Sequence, residues 1–241
     1  MKKSALCGLL AAISIGLWLP SCKNTGTAYD AGGTLEAVSV TVSAKGNGTI
    51  LRLDVAQGDR VEKDSLLGYI DTTQLHLQKE ILRLKLDDMR ASAKRGAAVS
   101  DNQIRMQELQ IEQVQVTIEE SGIASPFSGT VTECYVQEGE QAYTGRPLFK
   151  VADLENMILK AYVDARQLSS LRMGQDVKVY AMKDGKTAEY AGTLVHIADQ
   201  AEFTPKSLQT QNERANLVYA VKIRVQNDGY LKIGMYADVN F

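Results

Sequence analysis

Side chains able to do chemistry are few in this chain, and their spacing joins almost none of them. His76 and His196 are the only histidines. They share no ligand spacing with each other or with Cys134, so the sequence predicts no metal site. Asp87-Asp88 and Glu119-Glu120 are carboxylate pairs, but they lie in helix-forming sequence and read as solvated faces rather than acid–base dyads. Cys134 reads as a small core residue of a strand. No Gly-rich phosphate loop, nucleophile elbow or His-Glu-x-x-His pattern occurs, so the reading is not an enzyme and carries no cofactor.

Cys22 is the one residue with a covalent role to expect. Met1-Lys2-Lys3 precedes an apolar run over residues 5–19, and Pro20-Ser21-Cys22 follows. A positive start, a short apolar stretch and a small residue before the break form a secretory signal, placed at residues 1–21. The run falls short of the roughly 20 residues a spanning helix needs. Leu19-Pro20-Ser21-Cys22 resembles a bacterial lipobox, with Pro20 departing from the usual residue at its place. That resemblance implies lipid attachment at Cys22, which becomes the mature N-terminus. Residues 22–33 are polar, contain Gly and lack apolar periodicity, and are expected to be a flexible tether. Once the signal is removed, Cys134 is the only thiol besides Cys22. There is then no disulfide framework, and stability must come from packed cores. With 27 Lys and Arg against 29 Asp and Glu, nothing points to nucleic acid as a ligand.

The element that must position everything else is a motif present twice. Gly48-Thr49-Ile50, Val55, Gly58-Asp59, Leu67 and Ile70 return as Gly129-Thr130-Val131, Val136, Gly139-Glu140, Leu148 and Val151. Every pair is offset by 81 residues, so the copies align without a gap. Each reads as strand, turn and strand, with Gly58 and Gly139 supplying positive φ in the turns beside Asp59 and Glu140. This resembles the lipoyl/biotinyl half-motif, with two half-barrels folding together over residues 34–71 and 122–153. Carriers of that type hold a modified Lys in the tight turn between halves. Here Asp71 runs instead into a long helical segment, so the body reads as a rigid mount.

Residues 72–121 contain no Pro and are mostly helix formers. Leu75, Leu82 and Met89 recur at intervals of seven, as do Ile104, Ile111 and Ile118, the spacing of a coiled-coil seam. Thr72 or Thr73 is expected to cap the first helix, and Ser100 or Asp101 the second, with Gln103 completing a capping box on Ser100. Gly96-Ala97-Ala98 is the expected turn. Each arm has about 20 residues, or about 30 Å. Polar residues such as Gln78, Lys79, Gln107 and Gln113 leave too little apolar surface for a buried pair. The hairpin therefore projects.

Residues 154–241 add strand-like text, with Met157 to Asp164, then a short helix over residues 165–172, then Gly174-Gln175-Asp176-Val177 and a closing Leu231-Lys232-Ile233-Gly234-Met235. In combination these features resemble the periplasmic adaptor proteins of tripartite exporters, the membrane-fusion or HlyD-type family. The resemblance implies a mainly β fold with an α-helical hairpin: a lipoyl-like barrel-sandwich hybrid split by a coiled coil and followed by a small β-barrel domain. It implies partners as well: an inner-membrane transporter, ABC-type favoured over RND-type, a TolC-like outer-membrane channel, and other copies of the chain in a ring. The lipid anchor implies a place in the periplasm against a membrane, the inner one by this reading. The hairpin is short for the family, and residues 94–101 do not carry the Arg/Leu/Ser tip pattern of some members. Arg95, Ser100 and Asp101 are the tip contact candidates. With the sequence ending at the barrel, a membrane-proximal domain is expected to be absent or much reduced. Two rivals are a biotin or lipoate carrier and a lipoprotein that binds or delivers a small ligand or metal.

Overall fold

The computed structural model describes residues 29–203 and 217–241. The expected signal peptide, Cys22 and most of the expected tether lie outside the described residues. The elements run β1 (Ala31–Ser43), β2 (Gly48–Leu53), β3 (Arg60–Val61), β4 (Leu66–Ile70), α1 (Thr73–Lys94), α2 (Asp101–Glu120), β5 (Gly122–Ala124), β6 (Gly129–Cys134), β7 (Gln141–Ala142) and β8 (Pro147–Val163). They continue with α3 (Ala165–Leu168), β9 (Asp176–Lys183), β10 (Lys186–Ile197), β11 (Glu202–Phe203), β12 (Leu217–Gln226) and β13 (Tyr236–Asn240).

The two motif copies form one sandwich by exchanging strands. Arg60 and Val61 of the first copy pair with Thr130 and Gly129 of the second. Gln141 and Ala142 of the second pair with Thr49 and Gly48 of the first. Adding the 81-residue offset converts one set of pairs into the other, so the halves are related by a pseudo-two-fold axis. The turns interlock in the same way. The Gly58 N–H donates to the Val131 carbonyl at 2.8 Å, and the Gly139 N–H donates to the Ile50 carbonyl at 2.8 Å. Equivalent apolar residues meet in the core, with Ile50, Val131, Ile70, Val151, Leu67 and Leu148 all buried.

The second core fills a closed barrel of six strands in the order β12, β10, β9, β13, β1 and β8, sealed by pairing of β8 with β12. Alternation builds it: Val177, Val179 and Ala181 of β9 and Met157, Leu159, Ala161 and Val163 of β8 point inward at period two. Asp164 caps α3 by accepting the N–H groups of Arg166 and Gln167, each at 2.8 Å. That helix is shorter than the stretch read from the sequence.

β1 and β8 pass through both bodies. Gly33 to Ala37 pair with Ala161 to Met157 in the barrel, and Ser39 to Ser43 pair with Ala152 to Pro147 in the sandwich. Ala31–Gly33, read from the sequence as the end of the tether, are instead the first residues of β1, held against Val239, Asp238 and Ala237 of β13. At Val38 the register jumps, and residues 153–156 of β8 bulge away from the ladder with β1 while Asn156 stays paired with Gln226 of β12. The Asp153 carboxylate pins the bulge by accepting the N–H groups of Glu155 and Asn156, each at 3.0 Å. Arg60 pairs with Glu155 from the sandwich side. Asn227 reaches it from the barrel side, donating to the Leu154 carbonyl at 2.7 Å.

Candidate functional site

The hairpin and its mount are the candidate site, and the chemistry there is docking. Gly58 and Gly139 sit at φ 100° and 86°, a region costly for any residue with a Cβ. The Asp59 carboxylate accepts the Ala56 N–H at 2.8 Å, and Glu140 accepts the equivalent Gln137 N–H at 3.0 Å. Gly48 and Gly129 are required for space. A Cβ would lie 2.9 Å from the Asp71 carbonyl at Gly48 and 2.6 Å from the Ala152 carbonyl at Gly129. All six turn residues therefore hold the sandwich together.

After Asp71 the first copy turns into α1, where the second copy continues along β8 into the barrel. Neither Thr72 nor Thr73 caps α1 with its side chain. Asp71 does so instead, accepting the Thr73 hydroxyl at 2.6 Å and the Thr73 N–H at 2.8 Å. Those two bonds hold the Asp71 carboxyl below the usual carboxylate range. At the tip, Gly96 closes the turn at φ 88°. Ser100 and Gln103 form the expected capping box, with the Ser100 hydroxyl accepting the Gln103 N–H at 3.3 Å. Of the three tip candidates, Ser100 is occupied by that cap. Arg95 is exposed and donates to the Ser92 hydroxyl at 3.0 Å. Asp101 is exposed in the first turn of α2, where a carboxylate suits the helix dipole.

Leu86 and Val114 are the buried apolar residues of the seam. Gln107 differs from its reading as a solvated residue. It is 4% exposed and donates to the Leu82 carbonyl across the seam at 3.1 Å. Its heptad place between Ile104 and Ile111 was the available signal. Glu108 bridges the helices to Arg90 at 2.8 Å and also meets Arg105 at 3.2 Å. Hydrogen bonds first from Arg105 and then from Arg90 hold its carboxyl below the usual range. Asn227 is the other residue the sequence reading passed over. The run Asn227-Asp228-Gly229 is a turn signal that could have marked it.

The scattered reactive residues stay scattered. His76 lies on α1 and His196 on β10 of the barrel. Cys134 is exposed, not in the core, because it ends β6 where the packed layer stops. Partial burial and then the nearby Asp59 push its thiol up. Among the described residues no group of three or more His, Cys, Asp and Glu is placed to hold a metal ion.

Residues 38–154 match the family described as RND MFP, barrel-sandwich hybrid domain. This segment matches the barrel-sandwich hybrid domain of membrane fusion proteins. The family consists of adaptors of efflux systems, not enzymes, and is periplasmic and membrane-associated. A MacA-MexA chimeric protein containing the Pseudomonas aeruginosa MexA α-hairpin domain superimposes with a TM-score of 0.66 at 26% identity, covering 87% of this chain and 78% of that one. MacA from Actinobacillus actinomycetemcomitans gives 0.67 at 21% identity, covering 87% and 76%, a likeness of fold alone. The UPF0194 membrane protein YbhG of Salmonella newport is 31% identical over 126 residues, 52% of this chain. The match spans 38% of that relative's length. Among the described residues no helix is long and apolar enough to cross a membrane.

Proposed function

We propose that this chain is an adaptor subunit that joins an inner-membrane exporter to a TolC-like outer-membrane channel. One observation carries the reading: the hairpin and the barrel leave the sandwich at positions equivalent under its pseudo-two-fold axis. The hairpin follows β4 and returns through β5, and the barrel follows β8 and feeds β1; β4 pairs with β5 as β8 pairs with β1. The two appendages thus leave from equivalent places on the two halves of one mount, as a part with two different partners requires. In this reading residues 1–21 are the signal, and lipid on Cys22 ties the body to the inner membrane through the residues ahead of β1. The barrel domain, residues 154–241, packs on the transporter. The sandwich, residues 34–71 and 122–153, meets neighbouring copies in a ring. The hairpin, residues 72–121, carries Arg95, Ser100 and Asp101 toward the channel. The transporter supplies the energy.

An ABC-type exporter is favoured, because in the sequence Phe203-Thr204-Pro205-Lys206-Ser207-Leu208-Gln209-Thr210, Glu213-Arg214 and Val218-Tyr219-Ala220-Val221-Lys222-Ile223 resemble a stretch of one adaptor subgroup. An RND-type pump is the second reading, favoured by the name of the matching family. Cross-linking in cells followed by mass spectrometry tests both. Capture of a permease with its ATPase supports the first and capture of a proton-driven pump the second; recovery of no inner-membrane transporter refutes the adaptor reading. Intact mass tests the anchor: an acyl shift on Cys22 is expected, and Cys22→Ser releases the protein from membranes. A biotin or lipoyl mass on any Lys would establish the carrier instead.

A further inference from the structure

One edge of the sandwich lacks a neighbour. β13 pairs with β1 over Ala31–Thr34, and the Leu35 N–H and C=O are the last groups on that side to be bonded, to Met235 and Gly234. β1 then continues through Ser39–Ser43 with β8 on one side and, among the described residues, no strand on the other. Successive residues of an antiparallel strand turn their backbone groups to opposite edges, so the bonds already made fix which groups face out. Ala44 bonds on the β8 side, donating to the Arg146 carbonyl at 2.9 Å and accepting the Gly145 N–H at 2.8 Å. Val131 of β6 gives its N–H and C=O to Asp59 and Gly58, so Val151, opposite it in β8, turns to Val40 instead. Val40, Val42 and Ala44 therefore face β8. Ser39, Thr41 and Ser43 each direct an N–H and a C=O into the open edge.

The edge also lacks the devices that keep strands apart. Lys, Pro and inward charges blunt exposed edges, and residues 37–44 contain no charge and no Pro. Under the pseudo-two-fold axis the equivalent strand is β5, which begins on Gly122 and has only three residues. β1 presents five, about 17 Å of strand. Its side chains specify what fits. Val40 is 42% exposed and Val42 lies against the sandwich core, while Ser39 and Thr41 are exposed on the opposite face. A complementary segment is uncharged and extended, with β-branched apolar residues alternating with Ser or Thr.

The position of the edge selects the occupant. The stretches of this chain outside the described residues join it at Tyr29, Phe203 and Leu217, at the end of the barrel away from the sandwich. A second copy would pair antiparallel about a two-fold axis, and its hairpin would then point the opposite way from that of the first. An adaptor whose copies all face one channel excludes that arrangement. An antiparallel segment on this edge continues the line of β13, so a partner lying on the barrel passes straight onto it.

We infer that Ser39–Ser43 of β1 receives an uncharged extended segment of the inner-membrane transporter as an added strand. The transporter as its source rests on the adaptor reading above.

The test uses the full chain in its native membranes, cross-linked and recovered for mass spectrometry. Thr41→Pro removes one outward N–H and sets a ring in the path of an added strand, while Val40 and Val42 keep their bonds to β8; proline is tolerated at such an edge. It should lower the yield of transporter several-fold, and Thr41→Val, which keeps the N–H, should not. Amide exchange on the unsubstituted chain decides the matter even if Thr41→Pro fails to fold. In the purified chain Ser39, Thr41 and Ser43 should exchange fast and Val40 and Val42 slowly. In chain recovered with transporter the three fast amides should slow. If they stay fast there, strand addition is refuted and the adaptor reading stands. Recovery of no transporter with the unsubstituted chain refutes both. Slow exchange at those three amides in the purified chain, together with a doubled mass, would assign the edge to a second copy and overturn the inference.

Discussion

The reciprocal clasp of the sandwich makes a quantitative prediction from its duplication. Gly58 and Gly139 occupy the same turn of the two copies at φ 100° and 86°, and a Cβ at either would meet nothing within 4 Å. Alanine there therefore adds backbone strain and no clash. A left-handed residue with a Cβ costs about 1–2 kcal/mol, and losing glycine's freedom in the unfolded chain offsets about 0.4–1 kcal/mol of that. Each substitution should destabilise by about 1 kcal/mol, the two should match, and the double variant should lose about twice as much. Gly129→Ala differs because its Cβ would stand 2.6 Å from the Ala152 carbonyl and 2.9 Å from Val151 Cγ1. The strands must separate to admit it, which should cost about 2–3 kcal/mol. Urea unfolding of the protein without residues 1–21, followed by far-UV circular dichroism, reads all four variants; Trp18, the only tryptophan, lies in that stretch. If Gly58→Ala and Gly139→Ala differ by more than about 1 kcal/mol, the equivalence of the turns is refuted. If Gly129→Ala costs no more than either, the steric argument is refuted.

Asn227→Ala should destabilise the barrel by about 2–3 kcal/mol, because it removes donors to the Leu154 and Leu231 carbonyls at 2.7 and 3.0 Å and an acceptor for the Leu231 N–H at 2.9 Å; protease cutting within residues 153–156 should rise with it. Ser100→Ala should lower helical stability by about 1 kcal/mol through loss of the α2 cap, seen as faster amide exchange at residues 101–104. Acid should loosen the hairpin. Asp71 and Glu108 are both held below their ordinary values in the fold, so their contribution is present above the unfolded carboxylate range of about 4 and lost as pH falls through and below it. Helical ellipticity followed from pH 7 to 2 should show this, and Asp71→Asn should remove part of the change.

Local pattern and repetition were what made the fold readable. The 81-residue offset implied two interlocking halves, and the structure joins them by hydrogen bonds that obey that offset. Ser100 and Gln103 form their capping box because all its parts lie within four residues. What escaped notice depends on partners distant in sequence. Ala31–Gly33 look like tether until β13, some 200 residues later, pairs with them. Cys134 sits in a strand, but its exposure is set by where the layer above it ends. Asp71 takes the capping role because the strand before α1 delivers its carboxylate to Thr73, which leaves the threonine side chains free of that task. Gln107 lies where the apolar repeat asks for a hydrophobic residue, and only the facing Leu82 carbonyl explains how it is accommodated. No candidate contact residue at the tip could be ranked by sequence, because the roles of Arg95, Ser100 and Asp101 depend on which atoms the turn consumes.

The shared ribbon of β1 and β8 gives the two bodies an uneven mechanical coupling. Its ladder bonds lie across the strands, so a pull along the ribbon loads many of them at once, in shear, and the ribbon behaves as a stiff rod. Twisting meets less resistance at Val38, where the ladder is interrupted and four residues of β8 bulge away. Asp153 and Arg60 clamp that point through side chains, and Asn227 through both its side chain and its backbone N–H, which donates to the Glu155 carbonyl. The molecule is thus built to pass on tension and to absorb rotation, and a load on the barrel should reach the hairpin chiefly as displacement along its length.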